Sequence, residues 1–147
     1  MMKVLLDTNV WISGLLWGGN PRKIIQLAEE ELITLYTSLP LFQELEETLN
    51  YPKLQLRLQK LGMTASYVLS AVRRINQFCQ PLPLPPITEL RDSKDKVVLE
   101  TALAIPVEVI VSGDEDLLVL GEFQRIIILT ASDFLMRYGV NFDGDNV

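Results

Sequence analysis

Four short apolar runs punctuate this chain, and what separates them restricts its architecture more than any other feature. MKVLL at 2–6, LITLYT at 32–37, VEVIV at 107–111 and RIIIL at 125–129 are strand-length and nearly continuous, the pattern of strands covered on both faces. A short edge strand also fits at 79–82. Between these runs, apolar residues recur at helical spacing. Asn20 as N-cap and Pro21 in the first turn start a helix running to about residue 30, with Ile24, Leu27 and Ala28 as its stripe. Ser38 caps a helix over 39–50, and Pro52 starts another that Gly62 ends. Thr64 caps a longer one, with Tyr67, Ala71, Val72, Ile75, Phe78 and Cys79 at helical spacing. PLPLPP at 81–86 is neither helix nor central strand and reads as an extended connector. Asp92 or Ser93 caps a helix over 94–104, which Pro106 ends; a helical turn follows at 115–120 and a closing helix at 132–137. The polar tail, 139–147, is expected to fray. Strands alternating with helices predict an α/β fold with a mostly parallel central sheet and right-handed crossovers. With 147 residues, 48% of them apolar, one domain over 1–147 can bury a full core.

In such a sheet, ligands bind beyond the C-terminal strand ends, where the strand order reverses. Acidic residues stand at those ends. Asp7 follows the first run; Asp114, Glu115 and Asp116 follow the third after Ser112-Gly113. Asp7 reads equally as an N-cap or a ligand, and a carboxylate has oxygens for both roles. Asp95 heads a helical stripe with Val98, Leu99, Ala102 and Leu103, so its carboxylate lies on a face that should be buried. A capping pair with Asp92 explains an acid in the first turn but not its place on the core face. Asp92 itself fits a cap or supporting role. Of the three acids after Gly113, the helix dipole makes one structural, and Asp114 is nearest the strand end. Glu44 and Glu46 both flank an apolar side made by Leu41, Phe42, Leu45 and Leu49, and spacing does not choose between them.

The chain has no histidine and a single cysteine, Cys79. That removes His-dependent nucleophilic triads, His-ligated zinc, thiolate cages and internal disulfides. Carboxylates remain, and they suit Mg²⁺, Mn²⁺ or Ca²⁺. Acids that converge repel one another, so at least one should hold a proton until a cation arrives. The formal charge of −6 argues against binding nucleic acid through bulk positive charge. Lys53, Arg57 and Lys60 nonetheless form a basic edge at helical spacing, and Arg22, Lys23, Arg91, Lys94 and Lys96 add to it; solvated surface is the commoner meaning of such charges. Trp11 and Trp17, with Leu15 and Leu16, read as packing, or alternatively as a partner surface. MMKVLLDTNVWI does not read as a signal peptide, no apolar stretch is long enough for a membrane span, and a lone cysteine fits the cytoplasm.

The stretches KVLLDTNVWISGLL, PLFQELEETLNYPK, RDSKDKVVLETAL, VEVIVSGDEDLLVL and IIILTASDFL, in that order, span nearly the whole chain. Together they resemble the PIN-domain family of Mg²⁺-dependent nucleases, most of all the toxin components of bacterial toxin–antitoxin modules. The resemblance implies a three-layer PIN-like fold and makes Asp7, Glu44, Asp95 and Asp114 the catalytic, metal-binding quartet, choosing Glu44 over Glu46. It makes Asp116 an accessory acid, and Asn9 and Ser112 supporting polar groups; Ser112 stands where the family often has Thr, which keeps the hydroxyl. It implies a Mg²⁺- or Mn²⁺-dependent ribonuclease with an RNA substrate, a separately encoded antitoxin and a homodimer. Competing expectations are a PIN-type nuclease of RNA processing and a non-catalytic α/β interaction module. A receiver-like phospho-acceptor domain is disfavoured, because no lysine follows Lys96 to meet a phosphoryl group.

Overall fold

A computed structural model describes residues 1–87, 90 and 92–143. The elements run β1 (Met2–Leu6), α1 (Thr8–Leu16), α2 (Gly19–Glu29), β2 (Ile33–Ser38), α3 (Leu39–Leu49), α4 (Pro52–Lys60), α5 (Ala65–Ile75), β3 (Asn76–Cys79), α6 (Ser93–Ala104), β4 (Val109–Val111), α7 (Glu115–Leu118), β5 (Glu122–Phe123), β6 (Ile126–Leu129) and α8 (Ala131–Asp143). The strands form one sheet in the order β3-β2-β1-β4-β6-β5, parallel except for the β5–β6 pairing. The mostly parallel α/β sheet flanked by helices is therefore as expected.

Alternation along the central strands explains the layers. Val4 and Leu6 of β1, with Val109 and Val111 of β4, face a core shared with α1 to α5 and with Phe134 of α8. Leu5 and Ile110 face the opposite way, into a second core with Val98, Leu99 and Ala102 of α6 and Leu117 of α7. Period-two side chains with both faces covered require near-continuous apolar sequence, which is what these runs are.

Several boundaries differ from the sequence expectation. Helix α2 starts at Gly19, with Gly18 at φ 92° as its N-cap, so Asn20 lies inside the first turn. Ser38 precedes α3 but makes no side-chain cap; its buried hydroxyl lies 2.8 Å from Thr101 Oγ1 and ties β2 to α6. Phe78 and Cys79 belong to β3, not to α5, which stops at Ile75. The edge strand thus sits three residues before the position expected for it, paired in register with β2 from Leu35↔Asn76 to Ser38↔Cys79. Strand β5 is a two-residue piece too short for periodicity to signal. The proline-rich connector is neither helix nor strand, as expected, and bonds α6: Leu82 N–H donates to Glu100 O and Leu84 N–H to Glu100 Oε2, both at 2.8 Å. Helix α8 continues through residues 139–143 of the segment expected to fray. Leu135 and Tyr138 explain part of this by packing on the core, the Tyr138 ring 5.2 Å from that of Phe134. Arg91 and residues 144–147 lie outside the described residues.

Candidate metal centre

From β1 the chain proceeds outward to β2 and β3 on one side, and later to β4 and β6 on the other. The strand order therefore reverses between β1 and β4, where a crevice opens at the C-terminal edge. Parallel register pairs Leu6 with Val111 and sets Asp7 level with Ser112. Asp7 N–H donates to Val111 O at 2.9 Å, extending the ladder by one bond past the strand.

A chain of short hydrogen bonds fixes the acids. Asp7 Oδ1 accepts from Thr8 N–H at 2.7 Å, and Oδ2 accepts from the buried Ser112 hydroxyl at 2.8 Å. Ser112 Oγ in turn accepts from Asp114 N–H at 3.0 Å, and Asp114 Oδ1 accepts from Asp116 N–H at 2.9 Å. Asp7 thus caps α1 and Asp114 caps α7. The Thr8 hydroxyl donates to Glu44 Oε1, which brings α3 to the crevice. Glu44 Oε2 lies 3.8 Å from Lys94 Nζ. Asp92 caps α6 by accepting from Lys94 N–H at 2.9 Å, and it is exposed.

Asp95, Asp114 and Asp116 each present a carboxylate oxygen within 4.8 Å of the others. Asp95 is only 6% exposed, and its Oδ2 is buried with no hydrogen-bond partner among the described residues. Burial, with added pressure from a hydrogen bond to the Asp114 carboxyl and from the charges of Asp114, Asp7 and Asp92, pushes its pKa up to about 7. Burial also raises Asp7, with the charges of Glu44 and Asp114 adding to it, against the lowering effect of its bonds to Ser112 and Thr8. A buried, unpartnered oxygen in a three-acid cluster is the donor set a hard divalent cation fits, because the cation removes both the repulsion and the unmet acceptor.

A PIN-domain family model matches residues 3–116. The chain belongs to the PIN-domain family. PIN domains are generally metal-dependent nucleases, and the acidic cluster fits that chemistry. The match takes in Asp7, Glu44, Asp95, Asp114 and Asp116. Comparison with curated proteins and with solved structures found no match. Among the described residues of this PIN domain, no helix is long and apolar enough to cross a membrane.

The other candidates separate. Ser112 is buried between Asp7 and Asp114, whereas Asn9 is exposed in the first turn of α1. Sequence reasoning missed Thr8, whose hydroxyl holds Glu44; a Thr after a strand-end Asp is too common to be a signal. Glu46 points elsewhere, into a cleft with Asn50, Ser66 and Arg73. Lys53 and Lys60 are exposed on α4, but Arg57 is half-buried. Its Nε donates to Leu16 O at 2.9 Å, closing an open carbonyl at the end of α1, and its guanidinium lies 5.3 Å from the Trp17 ring centre. Trp11 is in the core, while Trp17 is 54% exposed beneath Arg57. Arg57→Gln is expected to cost about 1–2 kcal/mol in chemical denaturation, whereas the same change at Lys53 or Lys60 stays within about 0.5 kcal/mol.

Proposed function

We propose that this PIN domain is a Mg²⁺- or Mn²⁺-dependent endoribonuclease, the toxin of a toxin–antitoxin pair, acting in the cytoplasm as a homodimer held in check by a separately encoded antitoxin. The observation that carries the nuclease reading is the Asp95-Asp114-Asp116 cluster with its buried, unpartnered Asp95 Oδ2. Asp95, Asp114 and Asp116 hold the cation, and Asp7 adds its charge from the Ser112 side. A bound divalent ion lowers the pKa of water and stabilises charge on a phosphoryl group in transfer. Glu44, held by Thr8, orients the attacking water. Ser112 fixes Asp7 and Asp114 by one hydroxyl and so keeps two acids from drifting apart. Single-stranded RNA is the substrate class, because an unstacked, flexible backbone can reach carboxylates as recessed as Asp7 and Asp95.

The test is cleavage of a mixed single-stranded RNA pool and of a matched DNA pool, with Mg²⁺, with Mn²⁺ and with EDTA. RNA cut in either metal and spared in EDTA is the expected result. Preferential cutting of DNA would reassign the substrate, and cutting in EDTA would remove the metal. Growth arrest on induced expression, relieved by Asp114→Asn, is expected of a toxin; unimpaired growth would favour an RNA-processing role.

A further inference from the structure

A cleft of about 240 Å³ opens beside the acids, between α3 and the N-terminal half of α6. Its apolar lining is Pro40, Leu41 and Val97, and its polar lining is Gln43, Glu47, Glu44 and Lys94. Glu44 and Lys94 therefore belong to both the cleft and the crevice, joined by their 3.8 Å contact. Nothing in the metal centre uses Gln43, Glu47 or the apolar wall.

We propose that this cleft is a nucleobase subsite that takes the base next to the scissile phosphate and prefers bases with an exocyclic amine to uracil. The inference rests on the nuclease reading of the acid cluster and extends it to substrate selection. The volume lies below the roughly 300 Å³ at which pockets for drug-sized ligands begin, so it suits one flat ring rather than a larger group. Leu41, Val97 and the Pro40 ring offer apolar surface to a base face. Glu47, exposed on α3, offers only acceptors when ionised, and these match the amino groups of cytosine, adenine and guanine. Uracil would turn at least one carbonyl oxygen toward that carboxylate. Gln43 supplies a donor and an acceptor for the remaining ring edge. The Lys94 side chain is 61% exposed, and its pair with Glu44 is a surface contact that contributes little, so a phosphate oxygen can replace Glu44 at its ammonium. That places the phosphate on the acid side of the cleft.

The experiment is an NMR titration of the full chain, Mg²⁺ present, with CMP, UMP, cytidine and uridine. Amide shifts should centre on Leu41, Gln43 and Val97, and CMP should bind roughly tenfold tighter than UMP. Glu47→Gln should bring that ratio close to one. Lys94→Ala should weaken CMP while leaving cytidine unchanged. Shifts confined to other surfaces, or equal affinity for CMP and UMP in the unaltered protein, overturn the subsite. Sequencing the ends cut from a random RNA pool separates the two readings. Cleavage without base binding in the cleft removes the subsite alone; selective binding without any cleavage supports the cleft and removes the nuclease.

Discussion

Asp7→Asn is expected to lower metal-dependent RNA cleavage by about 10²–10³-fold while leaving the fold intact. The substitution keeps the shape of the side chain. An amide oxygen can still accept from Thr8 N–H, so the cap survives, and the amide NH₂ can donate to Ser112 Oγ in a reversed bond. The charge is lost, and the Ser112 hydroxyl loses Asp7 as its acceptor. Because burial already raises the Asp7 pKa, the native carboxylate is held ionised at a cost, and its neutral replacement should not lower the melting temperature. Circular dichroism and thermal melting check the fold, and cleavage under saturating Mg²⁺ checks the activity. Cleavage at the unaltered rate would remove Asp7 from the chemistry.

Asp95→Asn should move stability in opposite directions with and without metal. In metal-free protein at pH 8 the ionised carboxylate is buried beside Asp114, and Oδ2 has no partner among the described residues. An amide there can donate to the neighbouring acids and carries no charge, so the variant should gain about 1–3 kcal/mol, which is the usual cost of an unmet buried polar group. In Mg²⁺ the order should reverse. The native protein gains RT ln(1 + [Mg²⁺]/Kd), about 2.7 kcal/mol at 100 times Kd, and a variant missing that ligand gains less. Equal melting temperatures for the two proteins across all Mg²⁺ concentrations would show that Asp95 touches no metal.

The pH dependence has a definite sign. Asp95 has a pKa of about 7 folded against an ordinary 3.8, so between those values the native state keeps a proton that the unfolded chain releases. Metal-free stability should therefore fall as pH rises from about 4 to 7 and level off above. Asp95→Asn should flatten most of that slope. The raised Asp7 acts in the same direction, so a residual slope remains. Mg²⁺ affinity should rise over the upper part of the same window, because the cation competes with the Asp95 proton.

Asp7 and Asp114 were legible as strand-end acids because their signal is local. An apolar run that stops at a carboxylate needs no knowledge of the rest of the chain. The burial of Asp95 was legible for the same reason, since helical spacing put it in line with Val98, Leu99 and Ala102. Glu44 and Glu46 were not separable by spacing. What distinguishes them is the Thr8 hydroxyl, which lies 36 positions earlier in the chain and meets α3 only after the sheet has formed. The resemblance makes Asp116 an accessory acid, and α7 is a single turn, too short for a period to show which of its acids faces inward. Arg57 looked like the middle of a basic stripe; its true partners, Leu16 O and Trp17, come from another helix.

Apolar continuity, helical spacing, cap residues and the missing histidine act within a few residues, and from them alone the chain determined an α/β fold and hard carboxylate chemistry. Strand order is different. Which strand neighbours β1 depends on packing between segments a hundred residues apart, as when Leu6 pairs with Val111. Only that pairing decided that Asp7, Ser112 and Asp114 would share one hydroxyl, and that Asp95 and Asp116 would close the cluster. Local patterns specify which face of a segment seeks cover; the partner that covers it is set by the whole chain at once.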